Sequence, residues 1–176
     1  MDQIIEAEVI ARVLKGDRRA YALLVEEYKS PIYNLNYRMT GSSEDADDLT
    51  QETFIRAYQH LWRYDPRKKF FTWLYTLALN LIRNHFKKKK KEKLSEEESA
   101  LSLADKNPSA EEKLIGDQEI SLYLLRLEDE LRALLIMKYK QELSFEEIAE
   151  ITGKSVSAIK MSLYRGLEKL KELMKE

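Results

Sequence analysis

The stretch Leu143–Leu170, LSFEEIAEITGKSVSAIKMSLYRGLEKL, determines the fold of the second half of the chain. Its apolar residues recur three or four positions apart, which places them on one face of a helix. They form two groups: Ile148, Ala149 and Ile151, then Val156, Ile159 and Leu163. Gly153 lies between the groups and permits a left-handed turn residue. The segment therefore predicts two helices, about 145–152 and 156–174, joined as a helix-turn-helix.

A helix-turn-helix is typical of proteins that insert the start of its second helix into the DNA major groove. The side chains that we expect to be exposed on this helix are Ser157, Ala158, Lys160, Met161, Ser162, Tyr164 and Arg165. The alternative is a plain pair of antiparallel helices in a bundle, without a DNA role. The turn spacing and the apolar residues favour the DNA-binding motif.

The remainder of the chain is also predicted to be helical, so the expected fold class is all-α. Hydrophobic residues make up 44% of the 176 residues, and only 5 glycines and 3 prolines are present to interrupt helices. No segment has the alternating, β-branched pattern of a strand. Gly16 and Asp17 predict a break and cap between the first helices, and further helices are expected over about 31–39, 44–61, 71–89 and 110–139.

A polar segment divides these helices into two small domains. From Lys87 to Pro108 the chain is rich in lysine, glutamate, serine and aspartate, which bury too little apolar surface to offset the entropy of ordering. We therefore predict one domain over residues 1–91, a flexible linker over 92–109 and a second domain over 110–176.

The segment Arg63–Lys91, RYDPRKKFFTWLYTLALNLIRNHFKKKKK, combines aromatic side chains with a run of lysines. Aromatic faces beside cations are what a protein needs to stack unpaired bases and neutralise the neighbouring phosphates. A buried aromatic helix with a solvated lysine tail is the alternative, and this segment alone does not decide between them.

Composition and motifs argue against several other classes. With no cysteine there is no disulfide and no thiolate metal site. No apolar run approaches the length of a membrane helix, so we expect a cytoplasmic protein without membrane insertion. A cluster of Asp45, Asp47, Asp48 and Glu52 with His60 or His85 could hold a hard cation. Because both histidines lie far along the chain from these carboxylates and no nucleophile motif is present, we expect no enzyme, no metal, no cofactor and no small-molecule substrate.

Two segments together resemble one family. The run from Asp45 to Lys91, DADDLTQETFIRAYQHLWRYDPRKKFFTWLYTLALNLIRNHFKKKKK, is similar to region 2 of bacterial sigma factors. The run from Asn107 to Leu170 is similar to their region 4. The resemblance covers about 17–91 and 107–173, with a linker where larger sigma factors carry region 3. The chain thus resembles the extracytoplasmic-function (ECF, group IV) subfamily, which implies promoter-specific initiation with core RNA polymerase.

The resemblance implies a contact with the clamp helices of the polymerase β′ subunit through Asp48, Gln51, Glu52, Ile55 and Tyr58. The first four lie at i, i+3, i+4 and i+7, which makes one stripe on a helix. Without the resemblance, a solvated helix start favoured by the macrodipole is the simpler interpretation. Region 4 is expected to contact the β flap.

For the promoter −10 element, the resemblance implies that Trp73 stacks on an unpaired base and that Asn80 reads a base edge. Phe70 and Phe71 are expected to anchor the preceding loop in the core. The remaining −10 contacts are expected to be polar or basic: Lys68, Lys69, Arg83, Asn84, Lys87 and Lys88. Lysines that contact phosphates supply affinity but little sequence choice.

For the −35 element, the expected contacts are Ser157, Lys160, Met161, Ser162, Tyr164 and Arg165. This chain lacks the proline and two of the arginines usual in that part of region 4, where it has Ser162 and Leu167. We therefore expect weaker or altered −35 recognition, carried mainly by Lys160 and Arg165.

The expected partners are core RNA polymerase, promoter DNA and an anti-sigma factor. The alternative is a free-standing regulator that binds duplex DNA and never opens it. That alternative leaves the Trp73 segment and the stripe around Gln51 without a role.

Overall fold

The computed structural model describes residues 3–99 and 117–175, and every regular element within these ranges is helical. The first group of helices is α1 (Gln3–Leu14), α2 (Arg18–Thr40), α3 (Ser43–His60) and α4 (Phe70–Ser99), with a 3-10 turn at Leu61–Arg63. The second group is α5 (Asp117–Leu125), α6 (Asp129–Tyr139), α7 (Phe145–Thr152) and α8 (Val156–Leu173). The all-α prediction is confirmed. Within the described ranges, no helix has the length and apolar character needed to cross a membrane.

Helix starts in the first group follow the polar residues that the sequence indicates. Asp17 accepts hydrogen bonds from the backbone N–H groups of Arg19 and Ala20, at 3.1 and 3.2 Å, and caps α2. Ser42 accepts one from the N–H of Asp45 at 3.2 Å and caps α3. Each such cap stabilises its helix by about 1 kcal/mol.

The expectation of a separate helix beginning at Pro31 is wrong, because α2 runs unbroken from Arg18 to Thr40. Leu24, Ile32 and Leu35 are all fully buried, so the packed face of α2 continues across the proline. A proline inside a helix costs about 3 kcal/mol. Burial of apolar side chains on both sides of Pro31 offsets that cost.

Helix α4 extends to Ser99 rather than ending near Lys89. It therefore includes the first residues of the predicted linker. Lysine and glutamate are good helix formers, and the pair Lys88–Glu92, four residues apart with N and O 3.7 Å apart, adds support. The rest of the predicted linker, from residue 100, lies outside the described residues.

The single helix predicted over 110–139 is divided into α5 and α6, and residues 110–116 lie outside the described part. Glu128, with φ −56° and ψ 141°, leaves the helical conformation between them. The Arg132 side chain donates to the carbonyls of Leu124, Leu125 and Leu127 at 2.9, 2.9 and 2.8 Å. These bonds satisfy carbonyls that a continuing helix would have used.

Helices α7 and α8 form the predicted helix-turn-helix. Ser144 and Glu147 make a reciprocal capping box at the start of α7, and Gly153 adopts φ 71° at its end. Ser155 caps α8 by accepting a hydrogen bond from the N–H of Ala158 at 3.2 Å. The buried apolar residues between the two helices are Ile148, Ile151, Ile159 and Leu163.

The two groups of helices pack against each other through one continuous core. Arg132 on α6 donates to the Met39 carbonyl of α2 at 2.5 Å, and Gln141 donates to the Pro31 carbonyl at 3.3 Å. A cavity of about 160 Å³ between the groups is lined in part by Met39, Ile82, Phe86, Leu134 and Met137. The second group is thus held against the first, with α5 and α6 on α2 and α7 on α4.

Candidate polymerase and nucleic-acid interface

The predicted stripe on α3 is brought together on one face of that helix. Leu49, Thr53 and Ala57 are buried on the other side. Asp48 and Gln51 are exposed, and Ile55 is 51% exposed although it is a large apolar side chain. An open groove of about 380 Å³ is lined by Asp45, Asp48, Leu49, Gln51, Glu52, Ile55 and His85.

Glu52 and Tyr58, the remaining members of the stripe, are held by neighbours. Glu52 accepts a hydrogen bond from Arg56 Nε at 2.5 Å. The Tyr58 ring meets the Tyr21 ring edge-on, with centroids 5.0 Å apart. The stripe therefore presents carboxylates, an amide and apolar side chains on a rigid helix.

Trp62 extends this surface and was missed from the sequence. It is 66% exposed in the 3-10 turn, seven residues after Ile55, and the Arg63 guanidinium lies 4.7 Å from its ring centroid. An i+7 continuation of the stripe is the signal that could have identified it.

The loop before α4 is ordered by its own side chains. Asp65 Oδ1 accepts hydrogen bonds from the backbone N–H and from Nε of Arg67, both at 3.0 Å. The Arg67 guanidinium holds the pKa of the Asp65 carboxyl down at about 2. The Tyr64 hydroxyl donates to the Lys68 carbonyl. These contacts stabilise the conformation of the loop.

Trp73 lies half-buried beside this loop. Its ring centroid is 5.6 Å from that of Tyr64 and 5.5 Å from that of Phe70. Phe70 is fully buried and Phe71 half-buried, so the expectation that they anchor the loop is confirmed. Neighbouring rings fix the Trp73 indole, while part of it remains exposed.

The polar side chains predicted to contact −10 DNA share the exposed face of α4. They are Asn80, Arg83, Asn84, Lys87 and Lys88. Arg83 Nη1 donates to Asn80 Oδ1 at 3.2 Å, so these two are oriented together. Farther along, Lys89 pairs with Asp45 of α3 at 2.6 Å, and His85 lies 3.5 Å from the same carboxylate.

Lys68 and Lys69 are exposed but paired with the other group of helices. Lys68 Nζ lies 2.9 Å from Glu150 Oε1, and Lys69 Nζ lies 2.7 Å from Glu147 Oε1. These ion pairs could not be predicted from the sequence, because the partners are far apart along the chain.

On α8, the residues Ser157, Lys160, Met161, Tyr164 and Arg165 are exposed as expected. The expectation that Ser162 is exposed is wrong, since it is only 5% exposed. It lies three residues after buried Ile159, on the side of α8 that faces the protein. Its hydroxyl accepts a hydrogen bond from Arg165 Nη2 at 3.3 Å.

Phe145 is a further functional candidate that the sequence did not indicate. The Lys160 ammonium lies 5.0 Å from its ring centroid, and that of Lys138 lies 4.7 Å away. The Phe145 ring thus makes cation–π contacts with two lysines at the start of the helix-turn-helix.

Comparison with known proteins identifies the class. The Sigma-70 region 2 family matches residues 24–92, and the Sigma-70 region 4 family matches residues 117–170. The chain is 37% identical to the ECF RNA polymerase sigma factor SigW of Bacillus subtilis, over 95% of each chain. It is 29% identical to the ECF RNA polymerase sigma-E factor of Escherichia coli, over 95% of this chain and 93% of the relative.

Two solved structures share the fold. The sigma factor RpoE of Bartonella quintana, in complex with the anti-sigma factor NepR, superposes with a TM-score of 0.73 at 20% identity, covering 88% of this chain and 96% of its own. CnrH in complex with the cytosolic domain of CnrY gives 0.72 at 23% identity, covering 99% and 97%.

The fold and both matched regions define an RNA polymerase sigma factor. More narrowly, the chain belongs to the ECF family of sigma factors. Its function is promoter-specific transcription initiation, and it is not an enzyme.

Proposed function

We propose that this sigma factor divides its work between two domains joined by a linker, over residues 1–91, 92–109 and 110–176. The first domain binds the polymerase and opens the −10 element. The second binds the −35 element as duplex. The observation that carries this assignment is the exposed stripe on α3, which lies in the same bundle as the exposed polar face of α4.

The α3 stripe is the proposed polymerase surface, with the β′ clamp helices as its partner. Asp48, Gln51 and Glu52 supply polar contacts, and Ile55, Tyr58 and Trp62 supply the apolar area. A mixed patch with a central apolar and aromatic part is typical of specific protein interfaces. The second domain contacts the β flap.

The loop and α4 are the proposed −10 surface. Trp73 stacks on a base of the opened strand, Asn80 reads a base edge, and Lys68, Lys69 and the Lys87–Lys88 pair neutralise phosphates. Stacking returns about 1–3 kcal/mol per base, similar to the few kcal/mol that extrusion of a base costs. The bound polymerase must therefore supply the remaining free energy of opening.

The exposed face of α8 is the proposed −35 surface. Lys160 and Arg165 carry most of the affinity, while Ser157, Met161 and Tyr164 face the groove. Ser162 acts only through Arg165, because it is buried.

We also propose an anti-sigma factor as a partner and the cytoplasm as the place of action. In one structure with this fold the sigma factor RpoE is bound to the anti-sigma factor NepR, and in another CnrH is bound to the cytosolic domain of CnrY. The exposed apolar residues of α3 offer a surface for such an inhibitor.

Transcription with core polymerase and a promoter library tests this proposal. Asp48→Ala/Gln51→Ala should weaken polymerase binding at least about tenfold, because both side chains are exposed polar members of the stripe. The matched control is Glu8→Ala/Asn34→Ala, which removes one carboxylate and one amide from exposed positions outside it. Equal binding by both variants would refute the α3 assignment.

The assignments of the two DNA surfaces are tested by separate measurements. Trp73→Ala should reduce permanganate reactivity of −10 thymines about tenfold, as expected for one lost stacking contact. Lys160→Ala and Arg165→Ala should each lower the salt slope of −35-dependent binding by about one unit. Unchanged −35-dependent initiation in the double variant would disprove the α8 assignment.

A further inference from the structure

The two ion pairs that join the loop before α4 to α7 match in spacing. Lys68 and Lys69 are adjacent, whereas Glu147 and Glu150 are three residues apart on one helix, and therefore lie on the same face. The N–O distances of 2.9 and 2.7 Å are those of charge-assisted hydrogen bonds. Two of the four proposed −10 lysines are thus bound to acidic side chains of α7.

Glu147 is held in place for this contact. Its Oε2 accepts a hydrogen bond from the Ser144 backbone N–H at 2.8 Å, while Oε1 accepts from Lys69. The carboxylate therefore needs no rearrangement to receive the ammonium. The hydrogen bond and charge of Glu147 raise the pKa of Lys69 above its ordinary value.

Other contacts hold the same two domains together without charge pairs. Arg132 bonds the Met39 carbonyl, and Leu125 packs closely against Gly41. The ion pairs therefore add to an interface that already exists, and their removal need not unfold either domain.

We propose that Glu147 and Glu150 are an intramolecular substitute for promoter phosphates, forming a latch that keeps Lys68 and Lys69 occupied until DNA replaces them. This inference rests on the proposed role of the two lysines in −10 binding. An ammonium held by a carboxylate at hydrogen-bond distance does not neutralise a phosphate at the same time. Closing of the domains and binding of the opened strand therefore compete.

The two ion pairs of the latch contribute only a small free energy to the closed arrangement. All four side chains are partly exposed, and exposed ion pairs contribute little because water and salt screen them. Two such pairs change the ratio of closed to open molecules about fivefold. A fivefold change is enough to reduce nonspecific binding to single-stranded DNA. It is small enough for the contacts with polymerase and promoter to overcome.

The test variant is Glu147→Gln/Glu150→Gln in the full chain. Glutamine at position 147 retains the capping hydrogen bond and loses the charge. The matched control is Glu146→Gln/Glu172→Gln, which removes the same charge from exposed positions outside both ion pairs. Since the chain has no cysteine, Glu8→Cys and Lys171→Cys allow spin labels on the two domains in every variant.

Two measurements are made on each free protein. Pulsed spin-label distances at about 0.05 M and about 1 M salt report the domain arrangement, because the Debye length falls to about 3 Å at 1 M. Fluorescence anisotropy with a labelled mixed-sequence single-stranded oligonucleotide reports DNA affinity. The test variant should show a longer, broader distance distribution at low salt and bind the oligonucleotide about fivefold more tightly than the control.

The failures of the two ideas are distinguishable. If the test variant keeps the control's distance distribution, the latch is refuted. A longer distance with affinity equal to the control would refute the substitution for phosphates. Adding Lys68→Ala/Lys69→Ala to the test variant tests the role of the lysines themselves. If the oligonucleotide affinity does not change, these lysines are not DNA contacts. The proposed role of Lys68 and Lys69 in −10 binding would then be refuted.

Discussion

At the scale of single residues, Arg132 makes the hydrogen bonds that connect α5, α6 and α2. It is 6% exposed, and it donates to the carbonyls of Leu124, Leu125, Leu127 and Met39. A buried cation is tolerated only when its donors are satisfied. Backbone dipoles do this here, with Asp129 3.4 Å away as the paired carboxylate. One side chain thus ends α5, positions α6 and joins the two domains.

Replacing Arg132 by methionine should lower the free energy of unfolding by on the order of 3 kcal/mol. The reason is that three carbonyls, those of Leu125, Leu127 and Met39, lose their donor at a cost of about 1 kcal/mol each, while that of Leu124 keeps its bond from the Leu127 N–H. Urea denaturation measures the change. Lys171→Met, at an exposed position on α8, is the control and should change stability by less than about 0.5 kcal/mol. A loss below about 1 kcal/mol for Arg132→Met would contradict this role.

At the scale of elements, α2 and α7 both end in a left-handed glycine, but the space around the two glycines differs. Gly41 ends α2 and Gly153 ends α7, and both have φ 71°. A Cβ on Gly41 would lie 2.7 Å from Leu125 Cδ1, whereas nothing lies within 4 Å of one on Gly153. The first turn therefore also serves as a docking point for α5.

Alanine at each glycine separates the two effects. Gly153→Ala should cost about 1–2 kcal/mol, because alanine is strained in the left-handed conformation. Gly41→Ala should cost about 0.5–1.5 kcal/mol more, since Leu125 must leave its rotamer. Urea denaturation of both variants measures the difference. Equal losses would mean that the α5 contact adjusts freely.

At the scale of the whole molecule, aromatic side chains join α1, α2, the loop and α4. Tyr28 contacts Phe70 and Phe71, and its hydroxyl donates to Glu6. Burial is the first cause that raises the pKa of Tyr28, and it likewise raises those of Tyr21 and Tyr75. It raises the pKa of Tyr64 to about 12. The first domain therefore depends on phenols that stay protonated.

The raised pKa values of the buried tyrosines predict that the protein unfolds at alkaline pH. A phenol whose pKa is raised in the folded state stabilises it fully below the ordinary value of about 10, and that contribution is lost as pH rises from there towards about 12. Helicity by circular dichroism should fall over this window and return on neutralisation. Phenolate absorbance should show the exposed tyrosines ionising first. Ionisation of all 10 tyrosines near pH 10 with helicity retained would exclude this account.

How much the sequence predicted follows from the range of the interactions involved. Helix periodicity, the turn at Gly153 and the cap at Asp17 are local, so α3, α7 and α8 were placed almost to the residue. The same periodicity brought Asp48, Gln51 and Ile55 to one face. Motifs carried by such segments were sufficient to indicate the family.

Features that depend on residues distant in sequence were determined by the packing of the helices. Core packing carries α2 through Pro31, the packed side of α8 buries Ser162, and Arg132 divides the predicted helix over 110–139. The pairing of Lys69 with Glu147 joins positions 78 residues apart. Sequence patterns determine which side chains share a face of a helix, but burial and ion pairing depend on what that face meets, and this is determined when the helices pack together.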